Sequence, residues 1–157
     1  MNTINAVIVA TAVSLAVALP ALAQGPCDLV LKQAAQVMGE AAGTTERLSP
    51  MKNVEICSVR SADSSAQVRL TLESGQSPAQ RLSMAKMIAK MSKDVGQFRD
   101  EAGLGADAFS LREQDKLFLM FGAGSTAYTL QVTKDRGVMD ADVERARQFA
   151  KQLLAVK

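Results

Sequence analysis

From Met1 to Cys27 the chain carries no charged side chain, and Ile4 to Leu22 is a run of Ala, Val, Ile and Leu broken only by Asn5, Thr11, Ser14 and Pro20. The run ends in Pro20-Ala21-Leu22-Ala23, and the first charge is Asp28. Small residues at Ala21 and Ala23 suit the narrow subsites of a signal peptidase, and Pro20 stops the apolar helix just before them. The pattern predicts a signal peptide over 1–23 and an exported domain over 24–157. A retained membrane anchor is the alternative, because about 20 apolar residues can span a bilayer and Met1 to Asn5 contain no Lys or Arg. A lipoprotein signal does not fit, since Cys27 follows Pro26 rather than a small residue after an apolar triplet. Removing 23 of 157 residues leaves 134, which is room for one ordinary domain.

Export decides how the two cysteines are read. Two cysteines in a periplasmic or secreted chain predict one disulfide, Cys27 to Cys57. The loop it closes, about 30 residues, is valued at roughly 3–4 kcal/mol by the chain-entropy model. Free thiols or a metal pair are the alternatives, but the spacing is not CxxC and the chain contains no histidine. The net charge of +2 comes from 18 basic and 16 acidic residues that interleave. With no Trp and one Tyr, neither the basic footprint nor the stacking platforms of a nucleic-acid binder are present.

Periodicity outlines the domain. Val30, Leu31, Ala34, Val37 and Met38 are spaced as a helix that Gly39 ends. Residues 41–50 have no period and read as a loop. Asn53 to Val59 reads as a strand containing Cys57. Val68, Leu70 and Leu72 alternate with polar residues as in a half-buried antiparallel strand, and Ser61 to Ser65 form the turn between the two. Ser77-Pro78-Ala79-Gln80 opens a second helix, which runs to about Val95. Ala106 to Leu111 reads as a short strand. Lys116 to Phe121 and Ala127 to Thr133 form a hairpin around Gly122-Ala123-Gly124-Ser125. In the helix from Asp140, Val143, Ala146, Ala150, Leu153 and Leu154 face inward, and Arg145 and Arg147 face water. The expected fold is a single α+β domain with an antiparallel sheet of about five strands, three helices and one disulfide. Its two strand–strand–helix blocks read as a ββα pseudo-repeat.

Pro26-Cys27-Asp28-Leu29-Val30 opening the first helix, Cys57 in the first strand, and Gly103-Leu104-Gly105-Ala106-Asp107-Ala108-Phe109 before a hydrophobic hairpin resemble a group of small exported bacterial domains. These are secreted lipoproteins of unknown function with a PsbP-like α/β/α sandwich. The resemblance covers most of the mature chain in the order of its elements, and the chain departs from the group in lacking a lipobox cysteine. The group has no common catalytic residues, so the resemblance implies a fold and no activity.

The absence of histidine removes the usual general base and the usual ligand of zinc, copper and haem. Gly103-Leu104-Gly105 lacks the third glycine of a dinucleotide site and reads as a turn. Ser125 has no evident base to activate it. Asp100, Glu101 and Asp107 could form an acid–base pair, but read as solvated loop carboxylates. Met84, Met87 and Met91, with Ile88, recur at i, i+3, i+4 and i+7 and read as the buried face of the second helix, with Lys86, Lys90 and Lys93 outside. Two other readings remain: thioethers holding Cu(I), or a Met-rich groove for an apolar peptide or lipid.

These residues predict a non-catalytic exported binding or accessory protein with no cofactor. Its contact loop would be Gly103, Leu104, Gly105, Asp107 and Phe109, and its partner another envelope protein or an apolar ligand. Nucleic acid is not expected, and the membrane only through an uncleaved signal. The alternatives are a periplasmic immunity or inhibitor protein, a Cu(I)-binding protein, and a histidine-free hydrolase.

Overall fold

The structure is a computed structural model that describes residues 25–75, 77–91 and 96–156. The expected signal peptide over 1–23 and the expected continuation of the second helix to about Val95 lie outside the described residues. Three helices and seven strands follow in the order α1 (Pro26–Met38), β1 (Ala42–Met51), β2 (Val54–Ser61), β3 (Ala66–Ser74), α2 (Pro78–Met91), β4 (Gln97–Asp100), β5 (Phe109–Arg112), β6 (Lys116–Ala123), β7 (Thr126–Lys134) and α3 (Asp140–Ala155). A 3-10 turn, Ala102–Leu104, joins β4 to β5. All the strands belong to one antiparallel sheet ordered β1-β2-β3-β7-β6-β5-β4.

The sheet has seven strands rather than about five. The stretch read as a loop, 41–50, is the edge strand β1, paired with β2 although every one of its residues is exposed. With nothing buried it has no alternation to reveal it, and the free edge of β2 holds it through backbone bonds. Two register shifts and Pro50 interrupt this edge, as exposed edges commonly are. At the other edge, β4 pairs with β5 from Gln97↔Arg112 to Asp100↔Phe109.

Alternation sorts the strands onto two faces. On the front, Cys57, Val59, Val68, Leu70, Leu117, Leu119, Phe121, Leu130 and Val132 are all buried. α1 brings Val30, Ala34 and Val37 to them, and α3 brings Val143, Ala146, Phe149, Ala150 and Leu153. The Cys27–Cys57 disulfide forms here, with the two Cα atoms 5.7 Å apart, and ties the first turn of α1 to β2. Asp28 Oδ2 accepts from the Gly25 amide at 3.1 Å at the start of α1. Gly39 ends the helix at φ +69°, donating to the Ala35 carbonyl at 2.8 Å. A Cβ at Gly39 would lie 2.7 Å from the Arg145 guanidinium, the far end of a side chain that can swing aside, so it is the positive φ that favours glycine here.

The back face carries α2 over β6, and the two ββα blocks diverge here. Both are present in sequence order, β2-β3-α2 and β6-β7-α3, but α2 goes to the back of the sheet and α3 to the front. The halves share an order of elements and not a disposition.

Candidate functional site

α2 sits on the back of the sheet at Gly122, where a Cβ would lie 2.7 Å from Pro78 Cβ and 3.2 Å from Leu82 Cδ1. The absence of a side chain at Gly122 is what lets Pro78 and Leu82 approach the strand this closely. Leu82 is the one buried residue in the described part of α2, flanked by half-buried Pro78, Ala85 and Ala89. Further along, Lys86 Nζ pairs with Asp100 Oδ1 at 2.5 Å and Lys90 Nζ lies 5.2 Å from the centre of the Phe98 ring. Arg81 pairs with Glu73 of β3.

These contacts turn the helix the other way from the expectation that its methionines are core. Met84, Met87, Ile88 and Met91 are 64, 61, 60 and 75 % exposed. At 100° per residue their directions centre almost opposite the line of Pro78, Leu82, Ala85 and Ala89. The helix has two apolar faces, and the close seat on Gly122 selects the slim one. Lys86, expected outside, is drawn onto the sheet by Asp100, its side chain only 19 % exposed.

The loop expected to make contacts is mostly structural. Leu104 and Phe109 are 3 and 1 % exposed, and Asp107 is half-buried; Gly103 and Gly105 reach solvent. Gly105 adopts φ +126°, which favours glycine. Phe109 stacks on Phe98 at 5.5 Å beneath α2. The hairpin tip Gly124-Ser125 turns in two residues, with Gly124 at φ +57°.

Asp100 and Glu101 are neighbours that serve opposite faces. Asp100 holds Lys86 at the back, and that hydrogen bond keeps its carboxyl below the ordinary value. Glu101 turns to the front and is buried, against the expectation of a solvated carboxylate. Arg147 donates to it through Nε at 2.8 Å and Nη2 at 2.7 Å, and the buried Ser110 hydroxyl donates at 2.6 Å. Burial pushes the Glu101 pKa up, but the bonds from Arg147 and Ser110 outweigh it and hold the carboxyl below its usual range. Arg147 in turn is not the water-facing side chain that helical spacing predicted, because Glu101 lies within its reach. Two carboxylates split between faces and each held ionised cannot flank one bond as acid and base.

A cleft of about 460 Å³ opens beside this pair, between β4–β5 and α3, lined by Gln97, Arg99, Ser110, Arg112, Asp140 and Arg147 among others. Its guanidinium groups are largely committed. Arg112 donates to Asp140 and to the Val138 carbonyl, each at 2.5 Å, and Arg147 to Glu101. Among the described residues only Arg99 lining the cleft lacks a carboxylate partner. A second buried pair, Lys134 to Asp142 at 2.9 Å, joins β7 to α3 beneath Glu40 and Arg145. Burial raises the Asp142 pKa, and bonds from Lys134 and the Met139 amide bring it below the usual value.

Among the described residues, no group of three or more His, Cys, Asp or Glu could hold a metal ion, and no helix is long and apolar enough to cross a membrane. No family model matches the chain, and no curated protein matches it.

Proposed function

We propose that this chain is an exported binding or accessory module without turnover of its own, and that it works through the outward face of α2. One observation carries the reading: Met84, Met87, Ile88 and Met91 stand at least 60 % exposed on the side of the helix opposite its seat. Large apolar side chains gathered on one exposed face mark a contact surface, and methionine, flexible and polarizable, adapts to irregular apolar partners. The non-catalytic part draws support from the carboxylates, since Glu101 and Asp142 are consumed in buried ion pairs and Asp100 holds Lys86. Export rests on the N-terminal apolar run and is consistent with the disulfide.

A photo-crosslinking residue at position 87 tests the reading, with one at Gln148, exposed on α3, as control. Adducts are expected from position 87 and not from 148. Adducts from 148 alone, or none from 87 in intact cells, would overturn it.

The same exposure favours a second reading, in which the thioethers of Met84, Met87 and Met91 take Cu(I). Ile88 in the middle of the stripe offers no ligand and fits an apolar contact better. Titration with Cu(I) under reducing conditions decides: stoichiometric binding lost on replacing the three methionines with leucine supports the copper site.

A further inference from the structure

We propose that the outward face of α2 lies on an anionic lipid bilayer. This rests on the reading of α2 as the contact surface and names what covers it.

The apolar stripe lies on the outer side of a helix that is itself laid over the sheet. It centres about 140° round the helix from the line of Pro78, Leu82, Ala85 and Ala89, and Met84, Met87, Ile88 and Met91 are all at least 60 % exposed. A stripe along the outside of one helix offers no enclosure to a small molecule but presents itself to a broad flat surface. An apolar stripe on a helix flanked by cations is the pattern of an element lying in a membrane interface.

The charge on this side supplies the sign. Arg81 and Lys86 are offset by Glu73 and Asp100. Arg60 and Arg69, whose register places them on the open half of the back face, have no carboxylate partner among the described residues, nor does Lys90. Glu46, out on the edge strand, and Asp107, beside Pro78 and Leu82 at the foot of the helix, are acids on this side without a cation partner among the described residues. Set against Arg60, Arg69 and Lys90 they leave a small positive surplus on the side of the stripe. Arg60 and Arg69 sit back from the helix crest by about a helix diameter, ~10 Å, close to the screening length in physiological salt.

The same facts disfavour a second copy of the chain as the occupant. Two such faces would bring like charge to like charge. Four side chains also fall well short of the ~800 Å² per partner of a standard stable interface. An acidic bilayer meets both features at once, accepting methionine and isoleucine at the acyl boundary and the cations at the headgroups.

Vesicle partition is the test, using protein as recovered from cells with its N terminus established by intact mass. The probes are vesicles of phosphatidylcholine alone and of phosphatidylcholine with about 40 mol % of the anionic lipid phosphatidylglycerol. Wild-type protein is expected to partition onto the anionic vesicles more strongly than onto the neutral ones, and less so at 0.5 M salt, where screening shortens to a few ångströms (about 3–5 Å). Met84→Gln, Met87→Gln and Met91→Gln combined should weaken binding about tenfold or more, Lys90→Gln about fivefold, and Arg69→Gln, set about one screening length further back, about twofold. Unchanged thermal unfolding of these surface variants establishes that they fold.

Equal partition onto both vesicle types, or binding that survives the triple methionine change, would overturn the proposal. So would a dimer of wild-type protein in sedimentation that the triple change dissolves, since a second copy would then cover α2. A crosslink from position 87 to one protein, without vesicle binding, would overturn the bilayer and leave α2 standing as the contact surface. Adducts from Gln148 alone would remove both.

Discussion

On the front of the sheet, α1 and α3 bury five side chains or more apiece against Val68, Leu70, Leu130 and Val132, whereas on the back α2 buries Leu82 alone and shows solvent its four largest apolar residues. The polar groups divide in the same way. The front has two buried charge pairs, Glu101 with Arg147 and Asp142 with Lys134, beside exposed ones such as Arg112 with Asp140, while the pairs that α2 makes on the back are at the surface. A layer with many buried contacts and satisfied charges resists local opening, and a layer resting on one side chain and a glycine opens first. The front face therefore carries the stability of the fold, and the back face has apolar surface to spare for contact.

The strongest way to break that contrast is to cut the staple on the front. Cys57→Ala releases the start of α1 from β2 and should lower stability by roughly 2–5 kcal/mol, measured by urea unfolding under oxidising conditions. An unchanged midpoint would mean that the front core holds α1 without the bond.

Glu101→Gln probes the buried charge on the same side. It takes the buried countercharge from the Arg147 guanidinium, leaving it only the exposed Glu144 at 3.7 Å, and should cost about 1–3 kcal/mol near neutral pH. The pH dependence has a definite sign. The folded pKa of Glu101 lies below its ordinary value, so its stabilising contribution is complete above about pH 4.3 and is lost as pH falls through the lower folded value. Wild-type melting temperature should fall on acidification through that window more steeply than the variant's, and the two curves should converge in acid. Asp142, shifted the same way, makes both curves fall. Curves that stay parallel from pH 7 to 2 would show that the pair adds nothing specific.

What the sequence revealed follows the same division. α1, β2, β3, β6, β7 and α3 each present one face to the front core, so burial stamped a period of two or 3.6 on Val68-Leu70-Leu72 and on Val143-Ala146-Ala150. The disulfide was legible because only two cysteines are present. β1 was not legible, since a strand exposed along its whole length has no buried positions to alternate. The start of α2 could be read at Pro78, but its orientation could not. Two apolar faces satisfy the helical period equally, and the choice between them rests on Gly122 and Asp100, which are distant in sequence. The Glu101–Arg147 pair was hidden for a similar reason: its members are 46 residues apart, and each alone looks like a surface charge.

The smallest expected effect is the one that most sharpens the contrast between faces. Met84→Gln, Met87→Gln and Met91→Gln each replace a side chain already more than 60 % exposed, so each should change stability by no more than about 0.5 kcal/mol. Leu82→Ala, on the same helix but buried at the seat, should cost about 2 kcal/mol or more. Were the methionines core, the order would reverse, because a buried methionine truncated or made polar costs several kcal/mol while an exposed leucine costs almost nothing. Chemical unfolding of these four single variants reads the orientation of α2 directly, with no partner or membrane in the assay. A methionine variant less stable than Leu82→Ala would turn the helix over, place the thioethers against the sheet, and remove the apolar face on which a contact role for α2 depends.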